Sequence, residues 1–285
     1  MLREKTKKII EKYDLELKKN LGQSHLVEEE ILKRMIDYAD ISLGDIVLEI
    51  GSGLGNLTEL LIERAGKVIA IEKDARLADI LVNRLDDVEN LEVVREDILE
   101  IELPKFDKAV ANLPYSISSP FTFKLVESGF DLGVFTYQKE FAQRMVAPPS
   151  TKNYSRLSVN LSYLAQVELL EEVPPDAFIP QPEVWSSVVK IRPREPAFEV
   201  KDEELFFRVV QGAFRHRRKK IKNSLFYSFE EIIPNSGLSK EQKRDFIDEA
   251  ISEELANSRP DNISPEDFGE ISNCLYREFS RISEK

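Results

Sequence analysis

The sequence predicts an α/β fold in which a mainly parallel, doubly wound sheet is followed by a small helical domain. Between residues 45 and 137, short apolar runs alternate with stretches of helical periodicity, which is typical of successive β–α units. Beyond residue 197 the apolar residues recur only at helical spacing, and glycine is scarce. Residues 192–196 are typical of a linker, so we predict domains of residues 1–192 and 193–285.

Each element follows from its local pattern. Five short apolar runs are predicted as parallel strands: residues 45–50, 67–72, 91–95, 106–111 and 132–137. Four amphipathic stretches are predicted as helices: residues 27–39, 56–65, 75–85 and 121–128. Right-handed crossovers place such helices on both faces of a sheet. Residues 166–173 and 186–191 are predicted as an antiparallel pair that closes the sheet.

The composition indicates a folded protein rather than a disordered or membrane-spanning one. Apolar residues make up 42% and charged residues 32% of the 285 positions, and no apolar run approaches the ~20 residues that span a bilayer. The first twenty residues lack the apolar stretch of a secretory signal. A single cysteine, Cys274, and two histidines exclude a disulfide framework and disfavour a metal site. We therefore expect a cytoplasmic protein without a metal.

A glycine cluster in residues 49–56 follows the first strand and opens a helix. Gly51 and Gly53 let the backbone approach a ligand, and the helix N-terminus offers free N–H groups. A tight turn without a ligand is the alternative interpretation. The third glycine is Gly55, whereas a GxGxxG dinucleotide turn would have it at position 56. This spacing is closer to the turn of S-adenosylmethionine enzymes, which need no pyrophosphate site.

Two acidic residues follow the next two strands. Glu72 ends the second strand, where a carboxylate commonly holds a ribose diol. Asp97 follows the third strand, where it can accept a hydrogen bond from an adenine amine. Either acid alone is as well explained by a solvated strand end or a helix cap. Together with the glycine turn, they predict one crevice lined for an adenosine.

The residues Asn112, Leu113, Pro114 and Tyr115 end the fourth strand and suit chemistry on an exocyclic adenine amine. This amine is a poor nucleophile because its lone pair is delocalised into the ring. The Asn112 side-chain oxygen and the Leu113 carbonyl can accept its hydrogens and favour the reactive pyramidal form. Pro114 stiffens the turn, and Tyr115 can stack on the base. A loop with a buried tyrosine is the alternative interpretation.

Taken together, these motifs resemble the KsgA-type small-subunit rRNA adenine N6,N6-dimethyltransferases, of the archaeal branch. The similar stretches cover nearly the whole chain in the family's order: residues 21–26, 47–58, 71–74, 96–98, 112–115, 138–140, 178–186 and 214–220. The strings at 112–115 and 178–186 are specific in combination, whereas the glycine turn is common. The resemblance implies a Rossmann-like S-adenosylmethionine-dependent methyltransferase fold with a small C-terminal helical domain.

The resemblance also implies roles for individual residues. The cofactor would be bound by seven of them: Ser24, Leu26, Gly51, Gly53, Glu72, Asp97 and Asn112. The catalytic loop would comprise residues 112–115, with Phe178 facing Tyr115 across the target base. Where the family usually has Asn or His this chain has Ser24, so only a backbone contact is expected there. We expect the neighbouring His25 to pack under the cofactor loop rather than to act as a base.

The net charge is −12, yet residues 214–222 contain six Lys or Arg and no acid. A solvated helix face is the usual interpretation of such a run, but so many unopposed cations in an acidic protein favour contacts with RNA phosphates. The RNA-binding candidates are Arg144, Arg156, Arg215, Arg217, Arg218, Lys219 and Lys220. The nearby aromatic residues Phe226, Tyr227 and Phe229 are expected to be helical core.

By resemblance, the chain would dimethylate the N6 amines of adenosines in small-subunit rRNA, using S-adenosylmethionine, during ribosome biogenesis. Its partner would be rRNA in the pre-ribosomal small subunit, and it would act as a monomer. An assembly or transcription factor that only binds nucleic acid is the alternative, which an intact amine-binding loop disfavours. A nicotinamide oxidoreductase is a third hypothesis, disfavoured because no acid–base pair is evident near the crevice.

Overall fold

A computed structural model describes residues 1–16 and 24–283 of the chain. Residues 17–23, which include the start of the 21–26 motif, lie outside the described residues. The chain divides into two compact units, one of residues 1–142 and 166–193 and the other of residues 143–165 and 194–285.

Residues 143–165 therefore belong with the C-terminal helices, whereas the sequence predicted them as part of the first domain. The reason lies in their apolar side chains. Tyr154, Val159 and Tyr163 are at most 1% exposed and are buried in the core of the second unit. The one predicted boundary, between residues 192 and 193, is within one residue of an observed division.

The first unit is built on a seven-stranded mixed sheet. The strands are β2 (Ile46–Ile50), β3 (Lys67–Ile71), β4 (Leu91–Val94), β5 (Lys108–Asn112), β6 (Leu132–Gln138), β7 (Ala165–Val173) and β9 (Ser186–Pro193). Their order in the sheet is β4-β3-β2-β5-β6-β9-β7. Neighbours from β4 to β6 run parallel, and β9 is antiparallel to β6. The fold class predicted from the sequence is confirmed.

Helices flank this sheet: α1 (Leu2–Lys12), α2 (Glu29–Tyr38), α3 (Thr58–Ile62), α4 (Ala75–Arg84), α5 (Ser118–Val126) and α6 (Lys139–Met145). A 3₁₀ turn, Tyr115–Ile117, precedes α5. The central strands are buried on both faces, as parallel strands covered by helices must be. Val47, Val110 and Val134, on three adjacent strands, are completely buried.

A second, two-stranded sheet was not predicted. Strand β1 (His25–Leu26) pairs antiparallel with β8 (Phe178–Ile179), with Leu26 opposite Phe178. Two-residue strands carry too little periodicity to be recognised in a sequence. Their pairing brings the segment around Ser24 next to the segment that follows β7.

The second unit is helical, as predicted: α7 (Arg156–Leu164), α8 (Glu203–Arg215), α9 (Ile221–Tyr227), α10 (Phe229–Ile232), α11 (Lys240–Ala250), α12 (Glu253–Asn257) and α13 (Pro265–Ser283). The side chains of Asp202 and Ser239 accept hydrogen bonds from free backbone N–H groups in the first turns of α8 and α11. The core includes Phe206, Val209 and Phe268, all completely buried. No helix among the described residues is long and apolar enough to cross a membrane.

Candidate active site

A cavity of about 400 Å³ lies at the carboxyl ends of strands β2 to β5 in the first unit. Its volume is within the range of small-molecule sites, ~300–1,000 Å³. Seven of the predicted site residues line it: Ser24, Gly51, Gly53, Glu72, Asp97, Asn112 and Pro114. The parallel sheet places them together, because each of β2, β3, β4 and β5 delivers its following residues to the same edge.

The glycine turn after β2 has a left-handed backbone at Gly51 and Gly53, with φ of 68° and 56°. The space is as restricted as the conformation. A Cβ atom on Gly53 would lie 2.6 Å from Cε1 of His25, and one on Gly51 would lie 3.1 Å from the Pro114 ring. Glycine is required at both positions, because the left-handed backbone disfavours a side chain and the neighbouring residues leave little room for a Cβ atom.

Glu72 is 8% exposed, and backbone N–H groups hold both of its carboxylate oxygens. Gly53 donates to Oε2 at 2.8 Å, and Asp74 donates to Oε1 at 2.9 Å. Burial raises the pKa of this carboxyl above its ordinary value, and the two N–H groups oppose that change. The carboxylate is therefore fixed at the cavity wall and ties the glycine turn to the end of β3.

Asp97 is more exposed and is paired with a cation. Lys73 Nζ lies 2.6 Å from its Oδ2, and the Leu99 N–H donates to its Oδ1 at 3.0 Å. The hydrogen bond from Lys73 lowers the pKa of the Asp97 carboxyl. Lys73 also lines the cavity, and the sequence analysis did not single it out. Its position directly after Glu72 was the available signal.

Asn112 is the last residue of β5, and both the nitrogen and the oxygen of its side-chain amide form hydrogen bonds. Its Nδ2 donates to the carbonyl oxygen of Ser24 at 2.6 Å, and its Oδ1 accepts from Thr136 Oγ1 at 2.6 Å. Thr136 is completely buried on β6, directly opposite Asn112. This partner was not predicted from the sequence, although a polar residue in a buried strand is a visible signal. The amide is thus held in one orientation.

Tyr115 stands beside the cavity and is oriented by a hydrogen bond. Its hydroxyl lies 2.5 Å from Oγ of Ser186, at the start of β9. Burial raises the pKa of the Tyr115 hydroxyl above its ordinary value. Ser186, completely buried, was a second partner that the sequence analysis did not predict.

Four of the predicted catalytic and cofactor residues do not line the cavity: Tyr115, Leu26, Leu113 and Phe178. Leu26 and Phe178 are each 2% exposed and lie in one hydrophobic cluster with Val173. Their opposite positions in the β1–β8 pair explain the burial, since each side chain is directed into the core. Leu113 is also 2% exposed. The stacking role of Phe178 and the cofactor contact of Leu26 stay predictions.

His25 lines the cavity and packs against Gly53, as expected for a residue under the cofactor loop. Burial lowers the pKa of its imidazole to about 4, so the ring is neutral at physiological pH. Its Nε2 is buried and has no hydrogen-bond partner among residues 1–16 and 24–283. Such an atom is stabilised when a ligand supplies the partner.

These features fit an adenosine-containing cofactor such as S-adenosylmethionine. Ile50, Ile71 and Ile98 line the cavity with apolar surface suited to a purine, and the carboxylates of Glu72 and Asp97 line the same cavity. Glu72 would hold the ribose hydroxyls and Asp97 the adenine amine, while the unpartnered His25 nitrogen offers one more polar contact.

The predicted RNA-binding residues all lie in the second unit. Two of them are paired with acids, so the expectation of unopposed cations is wrong at these positions. Arg215 forms an ion pair with Glu231, and Arg217 Nε lies 3.1 Å from Asp261 Oδ2. Both acids are distant in sequence, which is why the run gave no sign of them. Within the described part of the chain, neither Arg218 nor Lys219 has a carboxylate within 4.0 Å.

Arg217 also joins the basic run to the loop between α6 and α7. Its guanidinium donates to the Lys152 carbonyl at 3.1 Å, and the Ser150 N–H donates to the Asp261 carbonyl at 2.7 Å. Arg144 and Arg156 flank the same loop, and Arg144 is exposed. The loop and the basic run are therefore connected through Asp261, and Arg217 is a structural residue of this unit.

Comparison with known proteins extends these observations. Residues 14–255 match the ribosomal RNA adenine dimethylase family. A probable ribosomal RNA small subunit methyltransferase A of Methanococcoides burtonii is 45% identical over 95% of this chain and 97% of its own. The protein of the same name from Methanopyrus kandleri is 44% identical over 93% and 94%.

Solved structures agree with the fold. A dimethyladenosine transferase from Plasmodium falciparum has a TM-score of 0.74 and 32% identity over 90% of this chain and 97% of its own. The 23S rRNA methyltransferase ErmE has a TM-score of 0.64 and 27% identity over 88% and 99%. On this evidence the chain belongs to the ribosomal RNA adenine dimethylase family, a family of S-adenosylmethionine-dependent methyltransferases.

Proposed function

We propose that the chain dimethylates the N6 amines of adenosines in small-subunit rRNA within the pre-ribosomal small subunit. The observation that carries this proposal is the arrangement of Glu72, Asp97 and Asn112 at the ends of successive strands around one cavity. The small-subunit substrate is supported by the relatives at 44–45% identity, which exceeds the 27% identity to the large-subunit enzyme. We place the reaction in the cytoplasm and the enzyme as a monomer.

When bound, S-adenosylmethionine supplies an electrophilic methyl group on its sulfonium. The chain's own contribution begins at Asn112, whose Oδ1 already accepts from Thr136 and retains a second lone pair. That lone pair and the Leu113 carbonyl would accept the N–H hydrogens of the target amine and hold its nitrogen pyramidal. Because the thioether that would depart from the sulfonium is a good leaving group, no general base is required for the transfer, and alignment with desolvation supplies most of the reduction in the barrier. The methylated nitrogen would release its extra proton to solvent afterwards.

Tyr115 would provide a stacking surface for the target base, which must leave its own stack. The hydrogen bond to Ser186 fixes the direction of the ring before substrate binds. Residues 112–114 likewise hold the two proposed acceptors, the Asn112 side-chain oxygen and the Leu113 carbonyl, beside the cavity before substrate binds. The catalytic residues in this proposal are therefore Asn112, Leu113 and Tyr115, with Pro114 stiffening the loop. Phe178 would join them only by leaving its buried position.

The direct test is transfer of labelled methyl from S-adenosylmethionine to small ribosomal subunits that lack the modification, followed by nucleoside analysis. N6,N6-dimethyladenosine is the expected product. Large subunits serve as the substrate control and should receive no label. Tight cofactor binding with no transfer to either subunit would contradict the proposal and favour a factor that only binds nucleic acid.

The cofactor site has its own test in Glu72→Ala. Loss of a hydrogen bond to a charged group costs about 1.5–3 kcal/mol, so cofactor affinity should fall about ten- to a hundredfold in calorimetry. Glu92→Ala, at an exposed acid on β4, is the matched control and should bind as the parent does. The unfolding midpoint of each variant should be measured as well, because Glu72 also holds two backbone N–H groups. Parent-like affinity in Glu72→Ala would remove this residue from the site.

A further inference from the structure

The second unit contains a pocket of about 240 Å³ between α9 and α11. We call it the α9–α11 pocket. Its walls include Lys222, Asn223, Phe226, Tyr227, Arg244 and Asp248. It is formed entirely within the second unit, and none of the roles argued above uses it.

Tyr227 is the unusual member of this pocket. It was predicted to be helical core, but 60% of the residue is exposed, and so that prediction is wrong. Phe229, by contrast, is 3% exposed and does belong to the core. The two differ because α9 ends at Tyr227, and Phe229 begins the next short helix with its ring turned inward. An exposed tyrosine at the mouth of a pocket presents an aromatic surface to solvent.

The Tyr227 ring is held in place by its neighbours. Lys219 Nζ lies 4.8 Å from the ring centroid, and the His216 ring lies 5.4 Å away. Phe226 meets it edge-on at 5.7 Å, and Phe226 in turn lies under the Arg244 guanidinium at 5.0 Å. A supported ring loses little conformational freedom when a flat ligand stacks on it.

The charges around the pocket are mainly positive. Lys219, Lys222 and Arg244 surround the two rings, and none of them has a carboxylate within 4.0 Å among residues 1–16 and 24–283. Asp248 is an acid in the wall, and it can accept a hydrogen bond from an N–H group of a base, such as N3–H of uracil. Unpaired cations around an aromatic surface are the combination that binds single-stranded nucleic acid, through phosphates and a stacked base together.

We propose that the α9–α11 pocket binds one unstacked nucleotide of single-stranded RNA, with its base on Tyr227 and its phosphates near Lys222 and Arg244. The proposal rests on the function proposed above, because it supplies a second contact with the same class of substrate. Base pairs in a duplex are stacked on their neighbours and cannot present a free face. The site therefore selects loops and single strands over helices.

The test measures the affinity of the full-length protein for a fluorescent single-stranded oligouridylate, about ten nucleotides long, by anisotropy. Tyr227→Leu should weaken binding about tenfold, since base–aromatic stacking is worth ~1–3 kcal/mol. Tyr227→Phe retains the ring and should bind within about twofold of the parent. Arg244→Gln should lower the log–log salt slope by about 0.7. Tyr276→Leu, at an exposed tyrosine on α13, is the matched control and should change nothing.

Thermal melting of each variant separates loss of the site from loss of the fold. Tyr227→Phe is a second control for folding, because it keeps the ring on which the base would stack. Parent-like affinity in Tyr227→Leu would overturn the proposal, as would an equal loss in Tyr276→Leu. A blunt-ended RNA duplex of two strands without unpaired bases should bind Tyr227→Leu and the parent alike, and unequal binding to it would also overturn the proposal.

The two proposals fail separately. If the parent methylates small subunits but Tyr227→Leu binds oligouridylate as the parent does, only the α9–α11 pocket is wrong. If the parent transfers no methyl group while Tyr227→Leu loses affinity, the pocket stands and the methyltransferase function does not.

Discussion

Asn112 illustrates how one side chain can be committed to two neighbours and still be available to a substrate. Its amide nitrogen is tied to the backbone of Ser24, and its oxygen is aimed by the hydroxyl of Thr136. A carboxamide oxygen accepts two hydrogen bonds, so the second lone pair is free for the target amine. The Thr136 hydroxyl is thus a positioning group that acts through Asn112.

Thr136→Val tests that role, because valine has nearly the same shape and lacks the hydroxyl. The rate of methyl transfer should fall about ten- to a hundredfold, since a small misplacement of a reacting group has effects of that size. Cofactor affinity and the KM for the ribosomal subunit should stay within about twofold, because neither ligand contacts Thr136 in this proposal. Thr136→Ser should restore the rate. Equal losses in the valine and serine variants would show that Thr136 acts only through packing.

Glu49, beneath the glycine turn, is a buried acid that no described cation neutralises. It is 2% exposed, and Thr58 Oγ1 donates to it at 2.6 Å. Burial raises the pKa of this carboxyl from 4.5 to about 8, and the nearby Glu72 adds to the effect. The folded protein therefore keeps the Glu49 proton between pH 4.5 and 8, whereas the unfolded chain releases it. The stability contributed by Glu49 is present below pH 4.5 and is lost as the pH rises to 8.

Glu49→Gln should remove this pH dependence, because the amide is neutral and its oxygen can still accept from Thr58. At pH 8 the variant should be more stable than the parent by about 1–3 kcal/mol, whereas at pH 4.5 the two should be nearly equal. Urea unfolding at several pH values measures the difference. Glu63→Gln, at an exposed acid just after α3, is the control and should follow the parent at every pH. A constant difference between Glu49→Gln and the parent would contradict the buried-proton interpretation.

The turn between β2 and α3 shows how closely two separate segments approach at this site. Gly53 donates to Glu72 from one side, and His25 of β1 lies against its Cα from the other. Any side chain at Gly53 would displace the imidazole or the turn, and both line the cofactor cavity. The element thus couples the N-terminal segment to the ends of β2 and β3.

Gly53→Ala and Gly129→Ala separate the two constraints on this glycine. Both glycines have positive φ, 56° and 66°, so each alanine should lose about 1–2 kcal/mol of stability through its backbone. Only at Gly53 would the new Cβ also meet another residue, 2.6 Å away. We expect Gly53→Ala alone to weaken cofactor binding, by about tenfold or more in calorimetry. Similar cofactor affinity in the two variants would show that the contact with His25 is relaxed without effect.

The elements in which apolar residues recur at a regular spacing were predictable from the sequence, and the features that depend on single contacts were not. Five strands and their helices were located to within a few residues, because apolar runs and amphipathic stretches carry the signal over several turns. The carboxyl-end rule then collected Gly51, Glu72 and Asp97 into one site. The β1–β8 pair has only two residues per strand, and the burial of Phe178 depends on it. The hydroxyl partners of Asn112 and Tyr115 come from strands that only the three-dimensional order makes adjacent.

The distribution of charge over the molecule determines which residues can attract RNA. The chain has a net charge of −12, so RNA is repelled unless cations are concentrated and unpaired. The structure divides the basic run into two classes. Arg215 and Arg217 are neutralised by Glu231 and Asp261, whereas Arg218 and Lys219 have no carboxylate within 4.0 Å in the described part of the chain.

RNA binding should therefore depend on the second class. The double variant Arg218→Gln, Lys219→Gln should weaken RNA binding and lower the log–log salt slope by about 1.4–1.8, since each phosphate contact contributes about 0.7 to 0.9. Arg215→Gln, Arg217→Gln removes the same formal charge but also releases two acids, so its slope should change less. Titration of ribosomal RNA fragments over a series of potassium chloride concentrations measures both slopes. Cofactor affinity should be unchanged in both variants, since the cofactor cavity belongs to the other unit. If the first double variant keeps the parent's slope, the two cations of the turn between α8 and α9 do not contact phosphates, and the contacts must lie at Arg144, at Arg156 or at the α9–α11 pocket instead.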